Sequence, residues 1–271
     1  MSGVATTPQS EQASGPPNGY SLSALLACVA SRLLENDRSV FVGTGLPMIA
    51  ALLAQKSHAP RLLIVFEAGG VGPRVPVLPI SVGDSRTFHQ AIMASSMHDV
   101  MAACSAGYID YGFLGGAALD QYGNLNTTVL GDWNQPKVRL PGSGGANDLG
   151  SFCWRTIYIM RNQSLRTFVQ KLPFITTPGY LNGPGARERA GLPSGCGPFR
   201  VITQLGVYGF DELTKRMLLV ARHPGVTLEE IQANSEFEIL IPTNIAETKP
   251  PTDEDLKILQ EIDPTGMVIG K

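Results

Sequence analysis

The sequence predicts an α/β protein with one open, mostly parallel sheet and helices on both faces. The predicted strand at residues 62–66 is apolar at every position, which is typical of parallel strands buried on both sides. Between the strands, apolar residues recur three or four positions apart, which indicates helices with one buried face. The chain has 271 residues, 43% of them hydrophobic, so it is long enough to bury a sizeable core.

The predicted elements alternate along the chain. Ser21 is placed to cap the first helix, whose apolar stripe runs from Leu22 to Leu33 and ends at Glu35. Then follow a strand at 39–43, a turn at 44–47, a helix at 48–56 and the strand at 62–66. Further on, we predict a helix at 96–105, a helix capped by Thr227, and strands at 109–114, 156–160, 174–176, 200–203 and 217–220. A single sheet accommodates all these strands.

Residues 20–241 are predicted to form a single α/β domain, because no linker or internal repeat divides them. The polar segment 1–19 lacks the basic and apolar regions of a signal peptide, so we expect a flexible lead-in. Residues 242–271 form a polar, proline-containing tail, in which 253–262 is a candidate helix that docks on the domain. The glycine-rich stretch 115–150 is too long for an ordinary connection and is typical of loops that form a site.

Composition and charge exclude several classes of function. The formal net charge is −2 and no long run of Lys or Arg occurs, so we expect neither nucleic acid nor a membrane surface as partner. No apolar run reaches the ~18 residues needed to span a bilayer, and a soluble, cytoplasmic protein is expected. The four cysteines lack C-x-x-C spacing and the four histidines lack metal-ligand spacing, so we expect buried, reduced thiols and no metal site.

Glu67 is the most informative single residue of the sequence. It directly follows the apolar strand 62–66, which places its carboxylate at the edge where open α/β sheets bind ligands. A solvated glutamate that merely ends a strand is the alternative. Two glycine runs, 115–117 and 142–147, favour the functional interpretation, because glycines let backbone N–H groups approach an oxyanion. The Gly-x-Gly at 43–45 lacks the third glycine of a dinucleotide site, so no nicotinamide cofactor is expected.

Short motifs occur in a characteristic order between about residues 21 and 240. They are VGTGLP at 42–47, FEAG at 66–69, SVGD at 81–84, GGA at 115–117, DQYGNLN at 120–126, PK at 136–137, GSGGAN at 142–147, PG at 178–179 and GPGARERAGLP at 183–193. Together they resemble family I CoA-transferases, specifically B subunits of the glutaconate CoA-transferase type. The resemblance implies an open α/β sheet of the CoA-transferase type and an A-type partner subunit in a hetero-oligomer. It also implies that the substrates are acyl-CoA molecules, which are coenzyme A thioesters, and carboxylic acids, and that no cofactor is bound permanently.

By this resemblance, Glu67 corresponds to the catalytic glutamate and the backbone N–H of Gly145 to an oxyanion-hole donor. A carboxylate that attacks an acyl-CoA thioester forms a mixed anhydride, which the released CoA thiolate converts to a glutamyl-CoA thioester. An acceptor acid then reverses these steps and leaves with the CoA. The chain departs from the family motif at Ala68, where relatives commonly carry Ser or Asn, and at the additional Gly70.

The other polar candidates are interpreted as structural. Asp84 and Arg86 are expected to form an ion pair or turn, with orientation of loops near the site as the alternative. Residues 187–189, Arg-Glu-Arg, are expected to form a subunit-contact or loop-fixing cluster, with anion binding as the alternative. The histidines not assigned to catalysis are His58, His89, His98 and His223.

Two alternatives to CoA transfer are left open by the sequence. A cofactor-free hydrolase or decarboxylase of a CoA thioester would use the same fold, and the retention of Glu67 argues against the decarboxylase. A non-catalytic effector-sensing module is the other alternative, because related sheets occur in sugar-phosphate isomerases and repressor domains. No helix-turn-helix segment is apparent in the sequence, and such a module would not need the ordered glycine loops.

Overall fold

The computed structural model of the chain describes residues 19–270, and the predicted lead-in at 1–19 lies outside this range apart from Gly19. The described residues form α1 (Leu22–Ser31), α2 (Leu46–Lys56), α3 (Met97–Ser105), α4 (Ala146–Phe152), α5 (Ala186–Arg189), α6 (Leu228–Ala233), α7 (Asp253–Ile262) and a 3-10 helix at Ser85–Phe88. Their strands are β1 (Ser39–Val42), β2 (Leu63–Phe66), β3 (Gly70–Val71), β4 (Met93–Ala94), β5 (Tyr111–Leu114), β6 (Ala118–Leu119), β7 (Leu125–Asn126), β8 (Val129–Gly131), β9 (Pro136–Arg139), β10 (Arg155–Ile159), β11 (Pro198–Ile202), β12 (Gly206–Phe210), β13 (Met217–Arg222) and β14 (Ala246–Glu247).

Ten of these strands form one sheet in the order β14-β13-β12-β11-β10-β5-β1-β2-β3-β4. The five central strands, β11, β10, β5, β1 and β2, are parallel to one another, and β14 is parallel to β13. The pairs β11 with β12, β12 with β13, β2 with β3 and β3 with β4 are antiparallel and lie in the two flanks. The predicted open, mostly parallel α/β sheet is therefore confirmed, and its antiparallel flanks are an addition to the prediction.

Helices cover both faces of the central sheet. Val40 and Val42 of β1 belong to the core that includes α1, α2 and α7, whereas Phe41 belongs to the core that includes α3, α4 and α6. Successive side chains of a strand point to opposite faces, and β2 shows the same alternation between the two cores. Burial on both faces explains why residues 40–42 of β1 and all of β2 are apolar.

The order of the strands reverses between β1 and β5. After β1 the chain adds β2, β3 and β4 on one side, and then crosses back to place β5 and β10 on the other side of β1. Open α/β sheets bind ligands in the crevice outside the carboxyl ends of the strands at such a reversal. The topology therefore directs attention to the carboxyl ends of β1, β2 and β5.

Most predicted helices and strands are present, with bounds that differ by one or two residues. Ser21 caps α1 by accepting a hydrogen bond from the Ala24 N–H, and Thr227 caps α6 in the same way through Glu230. Strand β12 and its antiparallel pairing with β13 were not predicted from the sequence.

The predicted strand at 174–176 is wrong. Phe174 stacks instead on Trp133, in the turn between β8 and β9, with the ring centroids 4.5 Å apart. This contact keeps the segment against the β8–β9 hairpin and away from the large sheet. The next residue, Thr177, forms an isolated antiparallel β-bridge with Leu125.

The C-terminal tail joins both the sheet and one helical layer. Strand β14 pairs with β13, and α7 occupies the segment 253–262 and packs against α2 and α1. Arg32, which directly follows α1, forms an ion pair with Asp255 of α7 at 2.8 Å and donates hydrogen bonds to the backbone carbonyls of Lys249 and Pro250. Within residues 19–270, no helix has both the length and the apolar character needed to cross a membrane.

Candidate active site

A cavity of about 520 Å³ lies at the carboxyl ends of the three strands around the topological reversal. The end of β1 contributes Gly43 and Thr44, the end of β2 contributes Glu67, and the end of β5 contributes residues 115–117. The loop 140–146, which leads into α4, forms the remaining wall. Both glycine runs predicted to form a site therefore meet at one cavity, whose volume is in the range of small-molecule sites.

Glu67 lies in a tight turn between β2 and β3. The Gly69 N–H donates to the Phe66 carbonyl at 2.9 Å, and Val71 then pairs back with Val65. Gly69 has a φ of +111°, and a Cβ there would overlap the backbone carbonyl of Ser95. Substitution at this position is therefore strained and obstructed, which fixes the backbone beside Glu67.

Gly70, the additional glycine of the motif, has a packing role. A Cβ at this position would overlap the backbone carbonyl of Thr87. Gly70 begins β3, which pairs with β4 through Ala94 and with β2 through Val71. Because the Thr87 carbonyl occupies the Cβ position, a larger residue would not fit here without a shift of the backbone. The additional glycine therefore allows the segment 85–88 to approach the backbone of β3 closely.

The carboxylate of Glu67 is the only charge at this cavity among the described residues. Glu67 is half-buried, and none of the ion pairs within residues 19–270 includes it. The other lining residues are apolar, glycine, threonine or serine. A carboxyl group without a protein counter-ion is available to react with a ligand that enters the cavity.

Gly145 lies directly beside Glu67. A Cβ at Gly145 would be 3.5 Å from Oε1 of Glu67, and the same position would overlap the terminal methyl of Met101. The Gly145 carbonyl accepts the first hydrogen bond of α4, from Leu149, whereas no acceptor within residues 19–270 is paired with the Gly145 N–H. The structure therefore brings together the two residues that the resemblance assigned to the site.

The glycine loop is held in place by side chains that were not predicted from the sequence. Thr127 donates from Oγ1 to the Gly142 carbonyl at 2.8 Å and accepts the Gly142 N–H with its own carbonyl at 2.9 Å. Asn147 donates from Nδ2 to the Thr176 carbonyl at 3.0 Å. Thr127 also lines the cavity. Its position within the glycine-rich stretch 115–150 was the sequence signal that could have identified it.

Asp84 and Arg86 are structural, as predicted, and do not line the cavity. Asp84 caps the 3-10 helix Ser85–Phe88 by accepting from the Arg86 N–H, and the Arg86 guanidinium also donates to its carboxylate. The hydrogen bonds from the Arg86 side chain lower the pKa of Asp84 well below its usual range. This pair stabilises a turn beside β3.

Arg187 fixes loops behind the cavity. Its side chain is 3% exposed and donates to the carbonyls of Gly150 at 3.1 Å, Ser151 at 2.9 Å and Gly179 at 2.8 Å. These carbonyls lie at the carboxyl-terminal end of α4 and in the neighbouring segment. The loop-fixing interpretation is therefore supported for Arg187, while Glu188 and Arg189 are exposed.

Histidine and cysteine residues lie away from the cavity. None of the four histidines lines it, and residues 19–270 contain no cluster of His, Cys, Asp and Glu that could hold a metal ion. All four cysteines are buried free thiols, as predicted, and burial raises the pKa of Cys28 to about 12. Cys104 and Cys153 lie with their sulfur atoms 3.6 Å apart between α3 and α4. These thiols contribute to packing.

Comparisons with known proteins show the family of the chain. The profile of the family described as Coenzyme A transferase matches residues 25–234. The chain belongs to the coenzyme A transferase family. It is 38% identical over 247 residues to the B-type subunit of 3-oxoadipate CoA-transferase from Pseudomonas knackmussii, which covers 91% of this chain and 94% of that protein. It is 36% identical over 252 residues to the B-type subunit of glutaconate CoA-transferase from Acidaminococcus fermentans. This alignment covers 90% of this chain and 93% of that protein.

Solved structures show the same CoA-transferase fold. The crystal structure of glutaconate coenzyme A-transferase from Acidaminococcus fermentans matches with a TM-score of 0.87 at 35% identity, over 93% of this chain and 98% of that one. The decarboxylase AibA/AibB matches with a TM-score of 0.79 but at 22% identity, which shows the fold alone. The predicted CoA-transferase family, fold and B-type character are confirmed, and the hydrolase and decarboxylase alternatives are not better supported.

Proposed function

We propose that the chain supplies the nucleophilic half of a CoA-transferase, with Glu67 as the residue that carries CoA. A carboxylate oxygen of Glu67 attacks the thioester carbonyl of the donor acyl-CoA, the C–S bond breaks, and CoA leaves as a thiolate. The thiolate then attacks the glutamyl carbonyl of the mixed anhydride, and the donor acid leaves as a carboxylate. The product is a glutamyl-CoA thioester, and the acceptor acid runs the same two steps in reverse.

One observation carries this proposal: the Glu67 carboxylate lies beside Gly145, whose N–H has no acceptor among the described residues. Each tetrahedral intermediate carries an oxyanion close to the carboxylate that formed it. A fixed N–H donor at that position is worth about 3 kcal/mol in the transition state. The half-buried cavity keeps the carboxylate partly desolvated, which strengthens this interaction. Because every step is an acyl transfer, the reaction needs no permanently bound cofactor.

An A-type subunit is the partner that completes this site in a hetero-oligomer. The two relatives compared by sequence above are B-type subunits, and they are named for the dicarboxylic acids 3-oxoadipate and glutaconate. The cavity wall formed by residues 19–270 has no Lys or Arg. The second carboxylate of a dicarboxylic substrate would therefore find its counter-ion on the partner. We accordingly propose an acyl-CoA and a free acid of this class as substrates.

Trapping the thioester tests the proposal. The complex of this chain with its A-type subunit is incubated with a panel of acyl-CoA thioesters that includes glutaconyl-CoA, without an acceptor acid. We expect the peptide that contains Glu67 to gain the mass of one CoA, and hydroxylamine to remove it. Glu67→Gln should form no adduct and lose transfer by about 10³-fold or more, because an amide is a far weaker nucleophile.

Glu254→Gln is the matched control, because Glu254 is an exposed glutamate on α7, away from the cavity. This variant should form the adduct and transfer CoA as the wild type does. Full transfer by Glu67→Gln would refute the assignment of the nucleophile. CoA release at equal rates with and without acceptor acid would refute transfer and identify a hydrolase.

A further inference from the structure

Helix α3 contacts both halves of the candidate site. At its start, the Ser95 N–H donates to the Gly69 carbonyl at 3.0 Å, and the Ser95 carbonyl lies where a Cβ of Gly69 would be. Asp99 accepts hydrogen bonds from the hydroxyls of Ser95 at 2.8 Å and Ser96 at 2.7 Å. The Ser96 hydroxyl, followed by that of Ser95, lowers the pKa of Asp99 and so favours the charged acceptor. The turn that carries Glu67 is thereby attached to the start of α3.

Further along the same helix, Met101 contacts Gly145. A Cβ at Gly145 would overlap the terminal methyl of Met101, would be 3.5 Å from its sulfur, and would also be 3.5 Å from Oε1 of Glu67. The thioether of Met101 and the carboxylate of Glu67 therefore both lie next to the Cβ position of Gly145. Met101 does not line the cavity. Its contact with the site is made through the glycine.

The rest of α3 is packed firmly on α4, the helix that Gly145 begins. Val100 and Cys104 of α3 share a buried core with Leu149 and Cys153. The sulfur atoms of the two cysteines are 3.6 Å apart, and a Cβ at Gly112 of β5 would lie 2.9 Å from the sulfur of Cys153. Interiors packed this closely transmit displacements instead of absorbing them. Helix α3 thus behaves as a spacer of fixed length between the two elements.

We propose that Met101 is a positioning residue that sets the distance between the Gly145 N–H and Glu67. This inference rests on the proposed function, in which that N–H stabilises an oxyanion formed at the Glu67 carboxylate. An oxyanion-hole donor must lie within about 2.7–3.1 Å of the oxyanion, and a misplacement near 1 Å costs about 10²-fold in rate. Removing the thioether opens a void at the Cβ position of Gly145, and the glycine then shifts relative to the Glu67 carboxylate.

Kinetics of the complex with the A-type subunit test the role of Met101. Met101→Ala should lower kcat by about 10-fold to 10²-fold and leave KM for acyl-CoA within about twofold, because the N–H acts only in the transition state. Met101→Leu should restore most of kcat, since leucine refills the volume. Met97→Ala is the matched control: Met97 begins the same helix, is 55% exposed, and should leave kcat unchanged.

A double-mutant cycle tests the contact between Met101 and Gly145 directly. Gly145→Ala alone brings its methyl into the methyl of Met101, whereas Met101→Ala makes room for it. The loss of kcat caused by Gly145→Ala should therefore be at least about fivefold smaller in the Met101→Ala background. Additive losses, a kcat of Met101→Ala equal to the wild type, or a Met101→Leu variant as slow as Met101→Ala would each overturn the inference.

The trapping experiment separates this inference from the proposed function. If the wild-type complex forms no CoA adduct at Glu67, the proposed function fails whatever the Met101 variants do. If the wild type forms the adduct and Met101→Ala forms it equally fast, the positioning role alone is refuted. Slower adduct formation in Met101→Ala, with the same final yield, is the result expected.

Discussion

Cysteine thiols are stronger nucleophiles than carboxylates, yet the cysteines of this chain lie away from the cavity. All four are buried, and none of them lines the wall that Glu67 and Gly145 form. Burial raises the pKa of Cys28 to about 12, so this thiol stays protonated at neutral pH. This arrangement agrees with the proposed function, in which a carboxylate attacks the thioester.

Replacing each cysteine in turn by alanine should therefore lower turnover by less than about tenfold, because the replaced thiols serve only packing. Steady-state CoA transfer by the complex of each variant with the A-type subunit measures this. A loss beyond about 10³-fold in one variant, with an unchanged unfolding temperature, would assign the nucleophile to that thiol.

Single residues of the site differ in how far the sequence could reveal them. Glu67 was a candidate because it directly follows a fully apolar strand, at an edge that follows from the sheet topology, and the glycine runs and the resemblance favoured it over a solvated glutamate. Gly145 needed the resemblance, since one glycine among several has no distinct local pattern. The contact of Met101 with Gly145 could not be predicted, because an apolar residue on a helix has the same sequence pattern wherever it packs. The contact depends on how α3 packs against α4.

Among the elements, the strand β13 is joined to its neighbours by a buried histidine just beyond its end. His223 is 2% exposed, with Nε2 at 2.8 Å from the Thr203 carbonyl and Nδ1 at 2.7 Å from the Thr248 hydroxyl. A carbonyl only accepts, so Nε2 carries the proton and Nδ1 accepts from the hydroxyl. Burial lowers the pKa of His223 below its ordinary 6.5, which means that the folded chain holds this ring neutral.

This histidine should make stability fall on mild acidification. Above the pKa of the unfolded chain, both states are neutral at this residue and it contributes no pH dependence. As the pH drops below about 6.5, the unfolded chain binds a proton that the folded chain does not, and the free energy of unfolding falls by at most about 1.4 kcal/mol per pH unit. Urea unfolding of the assembly between about pH 7.5 and 5.5 measures the slope.

The His223→Gln variant should show a flatter slope over this range, whereas His98→Gln, at an exposed position on α3, should keep that of the wild type. Equal slopes for the wild type and the His223→Gln variant would show that the ring is not held neutral.

Elements of the centre of the sheet were easier to predict than those of its flanks. Strands β1, β2 and β5 are buried on both faces, which leaves an apolar run in the sequence. Strand β12 includes Gly206 and Gly209 and pairs through a hairpin with β13, and glycines weaken the strand signal. The apolar residues at 174–176 were mistaken for a strand because stacking of Phe174 on Trp133 cannot be read from either segment alone.

On the scale of the whole molecule, the described surface has an apolar patch next to the cavity. It is formed by the β8–β9 hairpin and the segment that packs on it, and its members are 36–46% exposed. These residues are Leu130, Trp133, Val138, Phe174 and Ile175. Thr127 before the hairpin and Leu140 after it line the cavity, so the patch continues to the mouth of the site. Patches of this kind mark surfaces that bind another protein.

The chain without an A-type subunit should consequently be inactive and should self-associate, because both the apolar patch and the open side of the cavity are exposed to water. Light scattering of the purified single chain and a CoA-exchange assay with and without the co-expressed partner check this expectation. Full transfer activity from the single chain would contradict it.

A nucleophile fixed in a tight turn cannot carry its cargo elsewhere, as a swinging arm does. The Gly69 N–H donates a hydrogen bond to the Phe66 carbonyl, and the Gly69 carbonyl accepts one from the Ser95 N–H. Under the proposed function, the CoA thioester therefore stays where it forms. The two acids must then occupy the same space in succession, and the first must depart before the second arrives. The departing acid competes with the incoming one, and the net direction of the exchange follows from the relative concentrations of the two acids.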